Sequence, residues 1–577
     1  MKSPKSYVQL VTQEDLDKAL NYFIVDQQSV LASIIDADPL FCVEGTSCVE
    51  KYVDSHIQVN GVVSKPHQAG SLGKTKIVPT HLHGHFPCNE IPAWLTRKEV
   101  NGDRRGHPLA HSINKFGRDV MLEIPTRHLE AAQVAIADYI QSKIGYAELR
   151  EMTLEEVILG HDHPNSGPME LKTSPGMPYV LDKAGKGKTD HIRKNELGEI
   201  EFISSQIVED YEAWDEAFIS GVLKPYTFYE FPKDELRPKE KVEALKTRSV
   251  SVVPMPFVML FRKYHLDLSA RMQAEADGSF QFCVGINPEG PAWGTLYDSM
   301  IRISGVNCFD LDVSNWDGHM TPQLFWAVTR IVNRLYGVSE NSASGAARMT
   351  MSFATVFGYD QWQDLSFRKL RGNPSGFAGT AMYNTIAHML LFYCIWLAIC
   401  EKEKKIQYMN FNAYLNHACV RFYGDDVIAS VSDHVKEWFN PIAVSRQYES
   451  YGWPTTAACK TNASGFAKIG DVTFLKRKFV EDADYSVLCV RSQIDKSVIY
   501  KLLVWMRVNS KTIIPQQFME NVNNAMAFAE PYGEKFYEDL RLQINKLNAH
   551  YGFPIYFVTY GQMHECMLAE RFGIIET

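Results

Sequence analysis

Two short acidic segments carry the residues of this sequence best suited to chemistry. The first, CFDLDVSNWDG, spans residues 308–318. Its opening part places Phe309, Leu311 and Val313 at every second position, the spacing of a strand with one apolar face. Asp312 then lies on the opposite face, and Asp317 follows five residues later, where a turn past the strand end can return it to the same place. The second segment, ACVRFYGDDVIAS, spans residues 418–430 and reads as strand, tight turn, strand, with Gly424, Asp425 and Asp426 at the turn. A Gly-Asp-Asp triplet arises by chance about 0.1 times in a chain of this length, so its meaning comes from its placement. Adjacent carboxylates between two apolar strands repel each other unless a cation lies between them. Hard oxygen ligands favour Mg²⁺ or Mn²⁺ over zinc. Phosphoryl transfer uses a pair of such ions, one to activate an attacking hydroxyl and one to hold the leaving group.

Between the acidic segments lies NPSGFAGTAMYNTIAHMLLFYCIW, residues 373–396. Ser375 and Gly376 signal a turn and a helix start, after which Thr380, Asn384 and His388 recur every four residues and share one helix face. His388 reads as a satisfied core group. Asn384 and Ser375 supply an amide and a hydroxyl beside a metal-binding strand, which is what recognition of a ribose 2′-hydroxyl requires. The apolar run over residues 385–400 is shorter than the roughly 18 residues a bilayer span needs and contains His388. It therefore predicts a buried helix and no direct membrane span. KDELRPKEKVEALKTR, residues 233–248, holds six basic side chains among four acids. Mixed runs of this kind form solvated helix faces, but a triphosphate also needs several cations from one flexible element. Lys233, Arg237, Lys241, Lys246 and Arg248 are candidates to provide them.

The elements that position these groups belong to a chain of 577 residues, 45% hydrophobic and 22% charged, the profile of a globular protein with a sizeable core. A net charge of -9 gives no global footprint for nucleic acid, so any such contact must come from a local basic channel. The 11 cysteines are odd in number and form no CxxC pairs, which points to reduced thiols. The N-terminal residues lack the apolar region of a signal peptide. No repeat or low-complexity linker divides the chain, and residues 495–507 and 515–547 carry helical apolar spacing. In HLHGHFPC, His81, His83 and His85 alternate as on one strand face, with Cys88 nearby, leaving a zinc site open as an expectation.

In order along the chain, seven motifs resemble those of the RNA-dependent RNA polymerases of picorna-like positive-strand RNA viruses. TSPGMPY (173–179) resembles the template-entrance motif, and residues 233–248 resemble the NTP-entrance motif. DVSNWD (312–317) is similar to the first metal-binding motif, SGFAGTAMYN (375–384) to the sugar-sensing motif and YGDD (423–426) to the second metal-binding motif. GWPTTAACK (452–460) is similar to the general-acid segment, and FLKRKF (474–479) to the primer-grip hairpin. The length of the less specific first 170 or so residues leans towards the insect dicistrovirus or iflavirus branch.

The resemblance implies roles for individual residues. Asp312 and Asp425 would be the main metal ligands, with Asp426 a weaker neighbour, and Asp317, Ser375, Thr380 and Asn384 the ribose sensors. Lys460 would protonate the departing pyrophosphate, while Thr173, Ser174, Lys476 and Arg477 would meet template and primer. The implied fold is α+β, a closed right hand. Fingers would occupy residues 1–265 and 351–374, an antiparallel palm sheet with helices 266–350 and 375–478, and a helical thumb 479–577. The implied partners are RNA template and primer, NTPs, two Mg²⁺ or Mn²⁺ ions, a genome-linked protein primer and other viral replication proteins. The implied location is the host cytoplasm, at membrane-associated replication complexes. Two other readings are a reverse transcriptase-like palm polymerase and a catalytically silent RNA-binding protein. A reverse transcriptase would place a bulky side chain near Asp317, where this sequence offers a small acid and Asn384.

Overall fold

The alternation in the first acidic segment is realised as the strand Cys308–Val313, with Phe309, Leu311 and Val313 buried and Asp310 and Asp312 half-buried on its other face. This computed structural model describes residues 42–66, 74–96, 99–100, 103–104, 106–118, 122–146, 148–182, 187–223, 227–456, 465–482, 489–509, 511–553 and 557–572. The strand lies in a four-stranded antiparallel sheet, in the order Ala418–Tyr423, Asp426–Val431, Cys308–Val313, Thr455–Thr456.

The helix Thr380–Lys402 packs on that sheet and against the helices Thr126–Ile144, Pro322–Leu335 and Pro441–Ser450. Its 23 residues exceed the length read from the sequence, and by length and composition it could cross a membrane. Yet 94% of its apolar window is buried within the protein, with Ile386, Leu390 and Trp396 fully enclosed. A helix apolar on all sides is a core helix when protein surrounds it. The neighbouring helix Pro322–Leu335 begins where the Thr321 hydroxyl accepts the Leu324 N–H at 3.3 Å, a side-chain cap on an otherwise orphaned donor.

A second sheet has six strands, in the order Cys42–Val43, Gln58–Val63, Leu365–Arg368, Tyr359–Trp362, Thr227–Pro232, Ser249–Val252. All its neighbours are antiparallel except Tyr359–Trp362 with Thr227–Pro232. It joins the N-terminal part of the chain to an insertion that lies between the two acidic segments.

The C-terminal helices Lys496–Val504, Ile514–Ala529, Glu534–His550 and Tyr560–Arg571 form the third body. Their apolar faces, including Leu503, Phe518, Val522 and Ile544, enclose Leu82 and Phe86 from the N-terminal region. Residues 505–507, read as helical from their spacing, form instead the strand Trp505–Arg507, because Ile77–Pro79 pairs with them antiparallel. This strand pair and the buried Leu82 and Phe86 tie the N-terminal region to the C-terminal helices.

The same tie corrects the histidine reading. Residues 81–85 form turns, not a strand. The His81 Nε2 lies 2.8 Å from Asn548 Oδ1, the His85 Nε2 2.9 Å from the Tyr551 hydroxyl, and His83 packs edge-on to Trp505. These rings dock the turns 81–85 on the C-terminal helices, and Cys88 Sγ faces the Glu90 carbonyl at 3.6 Å.

Candidate active site

Strand register brings the acids together. Asp312 stands directly opposite Asp426 across the antiparallel pair, so both carboxylates leave the same face. Tyr423 pairs with Asp426, leaving Gly424 and Asp425 as a two-residue loop whose first position has φ 62°. That left-handed value suits glycine, the residue tight hairpin loops place there. The Asp425 side chain reaches solvent at the turn, yet the surrounding protein strips water from it. This burial, with the charges of Asp426 and Asp317 added, pushes its carboxyl up to about 6. Asp426 is also raised, chiefly by burial, with the Lys476 ammonium opposing and Asp310 reinforcing.

The core helix holds the loop by its backbone. The Thr385 hydroxyl accepts the Gly424 N–H at 2.8 Å and donates to the Ala381 carbonyl. The Gly424 carbonyl lies 2.9 Å from His388 Nδ1, and His388 Nε2 lies 2.7 Å from the Tyr448 hydroxyl. A carbonyl only accepts, so Nδ1 carries the proton and Nε2 accepts from Tyr448. Complete burial drives the His388 pKa down to about 3, which keeps the ring neutral and the pattern fixed. Thr385→Val leaves the Gly424 N–H without its acceptor, at a cost of about 1–3 kcal/mol. Differential scanning calorimetry should register that loss as a lower Tm, and Thr385→Ser should restore it.

Asp317 sits in the short helical turn Trp316–His319, reached through Asn315 at φ 54°. Its Oδ1 accepts from Asn384 Nδ2 at 3.1 Å, and Asn384 Oδ1 accepts from the buried Asn373 Nδ2 at 2.8 Å. The structure thus joins Asp317 and Asn384 and adds Asn373. Thr380 and Ser375 differ from the sequence reading. The Thr380 hydroxyl shares its one proton between the Pro374 and Phe377 carbonyls, both at 2.7 Å, and Ser375 Oγ donates to the Ser249 carbonyl at 2.9 Å. Both hydroxyls brace the loop before the helix, which starts at Thr380 and not at Ser375.

The basic segment forms a strand, Leu236–Pro238, and a short helix, Lys239–Glu243, with Lys233, Lys241, Lys246 and Arg248 exposed. Arg248 forks onto Glu235, with Nε to Oε1 at 2.6 Å. That bond holds it charged, helped by Glu235 and by the more distant Asp317 and Asp425. Arg237 donates to the Lys246 carbonyl at 2.6 Å, and Lys233 lies 3.8 Å from Glu235.

Of the expected template and primer residues, Thr173 receives Lys188 Nζ and donates to the Glu170 carbonyl, while Ser174 bonds the Tyr229 hydroxyl at 2.8 Å. Arg477 is committed inside the protein, to Glu289 at 2.6 Å and Ser492 at 3.1 Å, which turns it from primer ligand to internal tie. Lys460 lies outside the described residues.

Comparison with known proteins decides the family. The family model for viral RNA-dependent RNA polymerase matches residues 152–549. The chain belongs to that family. It is similar to the genome polyprotein of Rice tungro spherical virus, at 26% identity over 82% of this chain and 14% of that protein. It is likewise similar to the replicase polyprotein of Cricket paralysis virus, at 26% identity over 83% of this chain and 28% of that protein. The chain thus spans between about a seventh and somewhat more than a quarter of these relatives. The Sicinivirus 3Dpol RNA-dependent RNA polymerase shares its fold, with a TM-score of 0.70 over 89% of this chain and 99% of that chain, at 20% identity. Equal identity to the rice and cricket viruses places the chain among the picorna-like polymerases without favouring the insect branch.

Within this family member the acids fit a hard divalent cation, because burial first and neighbouring acids second raise Asp425 and Asp426, while Asp312 faces Asp426. Among the described residues no three His, Cys, Asp or Glu side chains converge as a ready-made chelate. Such ions are commonly held by one or two carboxylates together with substrate phosphates and water.

Besides Asn373, sequence reasoning missed Lys115, Asp310 and Thr385. Lys115 lies 3.9 Å from Asp317, and burial depresses its pKa against the pull of that acid. It is a single lysine in HSINKFGRD and gave no signal. Asp310 accepts the Thr473 N–H at 2.7 Å and so ties the 474–479 hairpin to the acidic strand; its spacing of two from Asp312 was the available clue. Thr385, next to Asn384, was hidden in an apolar run.

Proposed function

We propose that this chain carries out template-directed RNA synthesis, transferring nucleotides from NTPs to an RNA 3′-hydroxyl and so replicating a positive-strand RNA genome. The observation that carries the reading is the register of Asp312 with Asp426, next to a loop whose Asp425 feels the charge of Asp317 and whose Gly424 is held by Thr385, the neighbour of Asn384. Two Mg²⁺ or Mn²⁺ ions held by Asp312 and Asp425, with Asp426 assisting, would activate the 3′-hydroxyl and offset charge on the pyrophosphate. Asp317 and Asn384 bond the ribose hydroxyls, with the Lys115 ammonium 3.9 Å from the Asp317 carboxylate. Lys233, Arg237, Lys241, Lys246 and Arg248 draw in the triphosphate.

Arg248→Ala should raise the apparent KM for NTPs roughly tenfold, the equivalent of about 1.4 kcal/mol, with template affinity unchanged. A change in template affinity alone would reassign the segment. Lys460 is assigned the proton on the departing pyrophosphate. Lys460→Met should lower the incorporation rate by about 10²-fold to 10⁴-fold and remove one limb of its pH profile, as measured in single turnovers.

The hydrogen-bonded Asp317–Asn384 pair disfavours a reverse transcriptase, which would bar the 2′-hydroxyl at this place, and the full set of acids disfavours a silent RNA-binding protein. Initiation on a genome-linked protein primer, work with other viral replication proteins and a place at membrane-associated complexes in the host cytoplasm belong to the same proposal. Their support is the resemblance and the polyprotein nature of the relatives. Extension of a primed homopolymeric RNA by the purified chain tests the reading, and no product with either Mg²⁺ or Mn²⁺ would reject it.

A further inference from the structure

Away from the metal-binding acids, three ionisable side chains lie buried together where the six-stranded sheet meets the sugar-sensing loop. Lys369 Nζ contacts Glu230 Oε1 and lies 2.9 Å from Asp360 Oδ1, with the three side chains 5%, 1% and 6% exposed. Against the cost of burial, Asp360 and Glu230 hold Lys369 charged. A buried ion group of this kind is a poor source of stability, because desolvation offsets its attraction, and apolar replacements often serve as well.

The contacts of the group give it a role. Glu230 accepts hydrogen bonds from Ser249 Oγ and from Ser251 Oγ, the latter at 2.5 Å, so it grips the strand Ser249–Val252 by alternate side chains. The backbone of that same strand seats the loop. The Ser249 carbonyl receives Ser375 Oγ at 2.9 Å, and Gly376 passes so close that a Cβ there would lie 2.1 Å from the Ser251 carbonyl oxygen. Lys369 also starts the connection that leads into the loop. Further along it, the Gly372 N–H donates to the Met320 carbonyl at 2.8 Å and the Asn373 N–H to the Asp317 carbonyl at 2.9 Å. The connection is therefore fixed at its start by the ion group, in its middle by the backbone around Asp317, and at its end by the strand Glu230 grips. A second path runs through Phe116, whose ring has Lys369 Nζ at 4.5 Å and Lys115 Nζ at 5.0 Å from its centroid.

We propose that Glu230, Lys369 and Asp360 act as a positioning cluster, fixing residues 369–376 against the strand Ser249–Val252 and thereby setting how strictly the site selects a ribonucleotide. The proposal rests on the polymerase reading. None of the three touches the nucleotide; they act through Ser375, Asn373 and Asn384.

The test measures kcat and KM separately for ATP and dATP, in single-nucleotide addition on one primed RNA, for wild type, Glu230→Gln and Ser251→Ala. Glu230→Gln keeps the shape but weakens the acceptor, and Ser251→Ala removes one grip with little risk to folding. The preference for ATP should fall about tenfold in the first and about threefold in the second, through a higher KM for ATP with dATP and RNA affinity little changed. An unchanged preference in either folded variant, or an equal loss for both nucleotides, would overturn the proposal. Should Glu230→Gln not fold, Ser251→Ala decides alone. If wild type adds neither nucleotide, the polymerase reading itself fails, an outcome distinct from an unchanged ratio.

Discussion

Asp425→Asn is expected to abolish nucleotide incorporation, with a loss of roughly 10³-fold or more, the upper range for removing one preorganised electrostatic group. RNA affinity should be retained, because the variant loses a metal ligand and not a phosphate-binding cation. The same substitution has an expected signature without any substrate. The Asp425 carboxyl is pushed up from 3.8 to about 6, so its ionised form is disfavoured in the folded protein. The folded state therefore loses stability as pH rises from about 3.8 to about 6, and that loss is complete above about 6. An amide carries no such loss. In the absence of divalent cations Asp425→Asn should melt above wild type at pH 7, and the difference should vanish near pH 4. Thermal melts at the two pH values, beside incorporation and RNA-binding assays, read all of this. A variant that still extended RNA would remove the two-metal assignment.

The second large effect concerns sugar choice. Asp317 and Asn384 already share a hydrogen bond at 3.1 Å, and Asn373 orients the amide from its other side. A ribose hydroxyl would enter a site whose polar groups are aligned, whereas a deoxyribose would leave them unpaired. Sites built to bond a hydroxyl reject analogues lacking it by up to roughly 10⁴-fold to 10⁵-fold. Wild type should approach that range for ATP over dATP. Asn384→Ala should reduce the preference by roughly 10-fold to 100-fold, mainly by slowing ATP addition, since a bonded partner is lost and no bulky gate opens. An unchanged ratio of the two kcat/KM values would make Asn384 a core amide.

Much of this site could be read in the sequence because two-residue periodicity and a glycine turn are strong local signals. Phe309, Leu311 and Val313 gave the strand and hence the face of Asp312, and Gly424 gave the loop that presents Asp425. The return of Asp317 depends on Asn315 adopting φ 54°, which a short polar side chain tolerates but does not announce. Thr380 has the right helical spacing, yet it stands in the first turn, where the carbonyls of the preceding loop capture its hydroxyl. Arg477 was assigned through the family resemblance of its hairpin, while its partner Glu289 lies far away in sequence. The turn before it places Leu475 and Lys476 at φ 53° and 60°, positions that usually hold Asn or Gly, so only the family resemblance indicated a hairpin there. Long-range contacts also made residues 505–507 a strand, since Trp505–Arg507 has a partner more than 400 residues upstream.

The central claim is that the Asp312, Asp425 and Asp426 constellation joins nucleotides under the direction of an RNA template. The most direct test presents the purified chain with a primed heteropolymeric RNA whose next template base is known, one NTP at a time, with Mg²⁺, Mn²⁺ or a chelator. The expected result is addition of the complementary ribonucleotide alone, with either ion and not with chelator. Addition that ignores the template base, addition that persists in chelator, or no addition under any condition would contradict it.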